Sequence, residues 1–389
     1  VLLACTAFII LIVPVINWTS NEYSWTMRSY MRLRALNLAD AGVENAIWEI
    51  IYNGAQFTTW GGGNPKILAL NSFKDHDQAV IGDISVSALN TSPGNYLITS
   101  VGYVPSGAAQ KVKKTVKVKV FPHSLFNNSV FGYDLVTISG TPYVNSYNSS
   151  LGPYNPLTAG SNADVGTNGS ITISGNSTVR GDILVGPDGT VSGNDPSHVT
   201  GETFYSGTEV ELQPVLLPDY LAALSSQGAI LLTNNDELVL PSGYYRYDSI
   251  SLSSKSVLTI SGGSQVYVGG GFSVTAQAKV ITGPGVAIYI GGNGSFAGQG
   301  IINTSGYPAG LNIYGLGNNT SLSFSGGSNF FGTVYAPLSS VTMTGNVNYY
   351  GAVVGKDVSL TGSLGFHYDE MLSQNGPFSG YDIAYWQED

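Results

Sequence analysis

The chain has 389 residues, of which 10% are charged, with 50 glycines, 24 tyrosines and a formal net charge of −10. Ordinary soluble domains carry about a quarter charged residues, so this composition points to a large β-rich protein outside the cell, long enough for two or three domains. The single cysteine excludes an intrachain disulfide. Residues 1–120 are net basic and the remainder is strongly acidic, which argues against nucleic acid as a partner, because phosphate binding needs clustered Lys and Arg.

The first sixteen residues, Val1 to Ile16, carry no charge. They include Leu2, Leu3, Phe8, Ile9, Ile10 and Ile12, with Pro14 as the one residue that kinks a helix. Apolar residues then recur at helical spacing through Met27, Met31, Leu36, Val43 and Ile47 until Asn53-Gly54 supplies a stop. The pattern predicts one helix over 1–53, roughly 80 Å long at 1.5 Å per residue. Its greasy run is a little short of the roughly twenty residues that span a bilayer, and a helix this long needs partners. Arg28, Arg32 and Arg34 precede Asp40, Glu44 and Glu49 on it. An axial slip of order 15 to 20 Å between neighbouring helices would align opposite charges and set a register.

The apolar start, the polar transition from Asn17 to Tyr23 and above all LADAGVENA at 38–46 resemble the N-terminal region of type IV pilins, within them the PilX-type minor pilins. The resemblance implies a subunit held by its helix in the inner membrane, handled by the pilus assembly machinery, then packed helix against helix with copies of itself or other pilins in a filament core. Many pilins carry a glutamate at mature position five, where this chain has Cys5, and no basic leader is visible; the chain reads as processed, or as numbered a few residues late. Cys5 is expected as an apolar filler.

After Gly54 the period changes to two. AVIGDISVSAL at 79–89, NYLITSVGYV at 95–104 and KVKKTVKVKVF at 111–121 predict an antiparallel meander within a head of residues 54–124. Its last strand alternates Val112, Val116, Val118 and Val120 with Lys111, Lys113, Lys117 and Lys119. The lysines are either a basic docking face or a solvated strand protected against edge pairing.

The rest repeats. The pattern apolar, Thr/Ser, apolar, Ser/Thr, Gly occurs as VTISG at 136–140, ITISG at 171–175, LTISG at 258–262, LSFSG at 322–326, VTMTG at 341–345 and VSLTG at 358–362. A short period with glycine at its corners predicts a parallel β-helix over 125–372, with an insertion near 200–247 and a closing strand over 373–389. The predicted class is thus α+β: a long pilin-type helix, a small antiparallel sheet and a large parallel β-helix. The repeat is also similar to the β-solenoid half of some PilX-like proteins and to bactofilins. That resemblance implies a filament subunit on the cell surface, in the cytoplasmic membrane before assembly.

No catalytic constellation stands out, and neither an enzyme nor a cofactor is expected. His76, His123, His198 and His367 are scattered, and phosphate loops, zinc helices and nucleophile elbows are missing. Asp75-His76-Asp77 is expected as a polar loop rather than a metal site, His367-Tyr368-Asp369-Glu370 as a turn capping the solenoid, and Arg180-Gly181-Asp182 as part of the repeat. Asn-x-Ser/Thr sequons begin at Asn17, Asn90, Asn127, Asn148, Asn168, Asn176, Asn293, Asn303, Asn318 and Asn319, and are candidate surface acceptors for N-glycans.

Overall fold

The computed structural model describes residues 2–52, 57, 59–74, 76, 78–92, 95–105, 112–375 and 378–389. Of residues 2–11, 14, 51, 52, 92, 122, 123, 375, 378–382 and 384 it describes the backbone alone. The chain forms two compact units, one of residues 1–123 with 380–389 and the other of residues 124–379.

In the first unit a single helix, α1 (Leu2–Tyr52), runs unbroken through Pro14. Ala35, Leu38, Ala39, Val43, Ala46 and Ile50 form its one buried stripe, at the three- and four-residue spacings that put side chains on one helical face. The stripe seats on Ile84, Val86, Ile98, Val116 and Val118. These residues come from an antiparallel sheet of β1 (Lys66–Lys74), β2 (Val80–Ser92), β3 (Asn95–Val104) and β4 (Val112–Ser124). Helix and sheet approach unusually closely at two glycines. A Cβ on Gly42 would stand 2.2 Å from Ser100 Oγ, and one on Gly102 would stand 2.0 Å from the Ala35 carbonyl oxygen. The glycine of the LADAGVENA stretch therefore serves packing against the chain's own sheet.

Two strands depart from the expectation. β1 precedes the predicted meander, and the last strand, Phe378–Glu388, lies beside β4 in the same sheet rather than closing the solenoid. Backbone bonds in both directions between Thr115 and Asp389 join the two strands. β4 is consequently an interior strand, so its lysines do not guard an edge; Lys117 pairs with Asp389 at 3.2 Å in solvent, where water screens the pair and leaves it little weight.

The second unit is a parallel β-solenoid of about ten coils with three faces. Five of the six repeat motifs stack in one column. Leu322 pairs with Val341, Val341 with Val358, Val358 with Val136 and Val136 with Ile171. The sixth, LTISG at 258–262, lies on another face, where Leu258 pairs with Leu238 and Val280. The motif glycines turn the corner of the coil: Gly345, Gly362, Gly140 and Gly175 all have positive φ. A Cβ on Gly140 would meet the Gly362 carbonyl oxygen at 2.7 Å, and one on Gly175 would meet that of Gly140 at 2.4 Å.

The column also gives the order of the coils, which differs from the chain order. The first coil, from Val130, stacks on the last, which ends at Asp369. From this seam the chain winds one way to Thr203–Tyr205 and then crosses to the far end. It re-enters at Ala229–Leu232 and winds back to the seam. The excursion expected near 200–247 is therefore narrower, because Ala229–Leu232, Glu237–Leu240 and Tyr244–Tyr247 are solenoid strands. The crossing covers about ten coil steps, roughly 48 Å at about 4.8 Å each. It is pinned along the way: Val210 exchanges two hydrogen bonds with the Asn168 side chain, Tyr335 Oη donates to the Gln213 carbonyl at 2.7 Å, Tyr220 Oη donates to Gln265 Oε1, and Arg246 Nη1 donates to the carbonyls of Ala222 and Leu224.

Residues 367–370, expected to cap the solenoid, sit instead at the seam in mid-stack. Tyr368 Oη donates to the Phe126 carbonyl at 2.7 Å, Ser124 Oγ to that of Leu372 at 2.7 Å, and Ser146 Oγ to Glu370 Oε1 at 2.7 Å. His367 is 4% exposed. Its ring stacks on Tyr154, with centroids 3.9 Å apart, and faces the side-chain oxygens of Asn145 and Asn348. A neutral imidazole has one N–H. Asn145 already turns its amide nitrogen to Tyr154, so its oxygen accepts the proton of His367 Nδ1. Burial pushes the His367 pKa down to about 4.

Two predictions follow for the seam. Val353 is fully buried between Val334 and Val130, so Val353→Asp should cost at least about 3 kcal/mol and melt the solenoid well below the wild type; an unchanged thermal transition would refute the inward assignment. His367 is held neutral in the folded chain and charges in the unfolded chain as pH falls through the ordinary histidine value of 6.5. The stability associated with it is therefore complete above that pH and is lost between about 6.5 and about 4, on the order of 3 kcal/mol in all. Denaturant titrations should show the wild type's advantage over His367→Gln shrinking across that window.

Candidate interaction surfaces

The helix carries the first surface. Val1 and the side chains of Leu2, Leu3, Phe8, Ile9, Ile10 and Pro14 lie outside the described residues, as does that of Cys5. Ile12 and Met27 are half-buried, while Val13, Val15, Ile16, Trp18, Tyr23, Trp25, Tyr30 and Leu33 are exposed. Among the described residues of this unit nothing covers this stretch, whose apolar and aromatic residues take up most of the circumference and leave one polar face of Asn17, Asn21, Ser24, Arg28 and Arg32. Further in, Met31, Leu36 and Ile47 pack partly against the sheet. Val43 is wholly inside it, which corrects its assignment as a contact between subunits. Among the described residues no helix is long and apolar enough to cross a membrane.

The charges divide differently from the expectation. Arg28 and Arg32 are exposed, and the Arg34 guanidinium lies 4.8 Å from the Tyr30 ring centroid. Glu49 is 6% exposed within its own unit, so it offers no charge to a neighbour. Asp40 has its Oδ1 shut away from solvent with no hydrogen-bond partner. Burial holds its carboxyl above the usual range, and the charges of Glu388 and Glu44 add to the effect. Glu388, on the last strand, could not be placed beside Asp40 from the sequence, since no local pattern links the two.

The solenoid carries a second surface. On the face of the stacked motifs, outward hydroxyls align in one column from Ser251 through Ser273, Ser295, Ser323, Thr342, Ser359, Thr137 and Thr172 to Ser192. Thr344, Thr361 and Ser139 form a parallel column beside it. Hydroxyls thus repeat about every 4.8 Å across coils, with two positions per strand about 6.6 Å apart, and the central column contains no charge. A neighbouring face bears Tyr267, Tyr289, Tyr314 and Tyr335 in register. The Tyr289 and Tyr314 rings stack 4.9 Å apart, and the crossing segment ties onto this face at Tyr335, Gln265 and Arg246.

The sequons separate by burial. Asn17, Asn127, Asn176, Asn293 and Asn318 are exposed, and Asn90 and Asn148 are half-buried. Asn168, Asn303 and Asn319 are 7%, 5% and 1% exposed and spend their amides on backbone groups of neighbouring coils or of the crossing. That removes them as glycan acceptors. Asp75 and Asp77 lie outside the described residues, and among the described residues no group of three His, Cys, Asp or Glu could hold a metal ion. In the Arg180-Gly181-Asp182 triplet, Arg180 Nη1 donates to Tyr143 Oη and Asp182 Oδ1 accepts from the Glu202 amide, so both ends serve the stack.

A family model described as a domain of unknown function, DUF7305, matches residues 218–375. No curated protein matches the chain. Among solved structures, the competence-associated pilin ComZ from Thermus thermophilus is similar over 92% of this chain and 97% of its own, with 13% identity and a TM-score of 0.26. An ice-binding protein from the Antarctic ascomycete Antarctomyces psychrotrophicus is similar over 62% of this chain and 95% of its own, with 18% identity and a TM-score of 0.30.

Proposed function

We propose that the chain is a structural, non-catalytic subunit of a type IV pilus-like extracellular filament, polymerising through α1 and displaying the solenoid on the cell surface. The observation that carries this is the division of α1. Its inner part is seated on its own sheet, whereas Val13 to Leu33 present apolar and aromatic side chains with no cover. A helix that is apolar over most of its circumference needs cover on most of its sides. Burying such surface releases roughly 25 cal/mol per Å², so bundling with copies of the same helix is strongly favoured over exposure to water. Before assembly, the uncharged run from Val1 to Ile16 would place the helix in the cytoplasmic membrane, where the pilus assembly machinery and other pilins are its partners.

A second reading is a minor or tip subunit that primes assembly or adheres; adhesion is favoured by the hydroxyl columns, a periodic and uncharged face suited to a hydroxyl-rich surface. Copy number along the filament separates the two. A membrane-anchored surface protein that stays monomeric is the third reading, and the solution mass after detergent removal identifies it.

Ile12→Asp or Trp25→Asp in the full chain should reduce surface filaments at least tenfold, since an unpaired charge buried at a repeated contact costs several kcal/mol per subunit. The folded solenoid should remain at wild-type abundance. Electron microscopy of cells together with limited proteolysis reads both; filaments at normal number would exclude α1 as the polymer core.

A further inference from the structure

We propose that His198 is a proton-operated latch on the last coil before the crossing: its doubly protonated ring takes the place of a backbone donor in the corner column, holds that coil down at low pH and releases it as pH rises.

The corner column shows the substitution. Along the stack the carbonyl of each motif glycine accepts a backbone N–H from the next coil, as Ser363 donates to Gly345, Thr141 to Gly362 and Asn176 to Gly140. At Gly175 the series changes. Its carbonyl faces the His198 ring, with Nε2 3.1 Å away, and among the described residues no backbone N–H of the last coil reaches it. The pairing of this coil is short. Val191–Ser192 lies on Ile171–Thr172, Val199 bridges Val179, and Thr203–Tyr205 lies on Ile183–Val185. Across residues 193–198 the backbone bond to the coil beneath runs from the Val179 N–H to the carbonyl of His198 itself. The ring therefore acts where the stack is weakest, at the point from which the chain leaves for the crossing.

Two protons on the ring are required. Nε2 faces a carbonyl oxygen and Nδ1 lies 3.0 Å from Asp195 Oδ2; both partners only accept, so the arrangement is that of an imidazolium. Ser197 Oγ donates its single proton to Asp195 Oδ1 and stands 3.1 Å from Nδ1. Once Nδ1 is bare, its lone pair faces the carboxylate and competes for the Ser197 proton, and the anchor that aims Nε2 at Gly175 is lost. Among the described residues Asp195 is the one charged group acting on the ring, and the Gly175 carbonyl is what faces it from the coil beneath. Ser197, then His198, hold the Asp195 carboxyl down to about 2, so it stays charged throughout. The Gly175 carbonyl first, and then Asp195, hold the ring's pKa above the ordinary histidine value of 6.5. The latch is therefore complete below that value and is lost as pH rises through the folded one, the reverse of His367.

NMR of the histidine-labelled full chain in detergent tests the ring directly. The His198 signal, assigned by its loss in His198→Gln, should titrate above 6.5, and Asp195→Asn should bring its midpoint down. Hydrogen exchange of the same chain, corrected for the intrinsic rate, reads the coil. Protection of residues 194–205 should fall on the order of threefold from about pH 5.5 to about pH 8.5, with residues 257–268 as the unchanged reference. In His198→Gln that slope should vanish. A ring midpoint at or below 6.5, a flat profile in the wild type, or an equal slope in His198→Gln would overturn the latch.

Discussion

Parallel backbone pairing between successive coils is the constraint on which the larger unit depends. Each coil satisfies its N–H and C=O groups on the coils above and below, and its inward Val, Ile, Leu and Phe form continuous columns. Such pairing is indifferent to the order in which coils are made, provided register is kept. The structure uses that freedom: a coil from residues 130–147 completes the edge of one from residues 348–369. The seam is reinforced by side-chain bonds to backbone carbonyls, by the neutral His367 and by the crossing segment, which binds coils from both arms. A stack of this kind becomes cooperative, because the earliest and latest coils stabilise one another.

The smaller unit rests on a different constraint, the close approach of α1 to β3. Gly42 and Gly102 remove the two Cβ atoms that would hold helix and sheet apart, and the stripe from Ala35 to Ile50 then fills the interface. This concentrates the helix's own folding contacts in its inner part. The outer part is left with surface that water does not favour, which is what makes assembly the natural reading of the chain.

Much of this was legible in the residues. The switch from a period near 3.6 to a period of two marks where α1 ends and strands begin, and the Thr/Ser–Gly repeat marks the solenoid, its corners and its inward positions. The coil order was not legible, because VSLTG at 358–362 and VTISG at 136–140 look alike wherever they stack. The last strand has a clear alternation but no local feature that names β4 as its neighbour. A sequon is a three-residue pattern blind to burial, so Asn168, Asn303 and Asn319 could not be told from the exposed acceptors. Glu49 has the same helical spacing as a surface charge, and only the sheet above it shows that it is enclosed.

The path of the chain between the units bears on how each of them can change. The solenoid is spliced in after β4 and returns through the last strand, and those strands are neighbours in one sheet. Both ends of the solenoid segment therefore join adjacent strands of the sheet that seats α1. A substitution, an insertion or a change in coil number within residues 124–379 leaves the pairing of that sheet, and the seat of the helix on it, as they are.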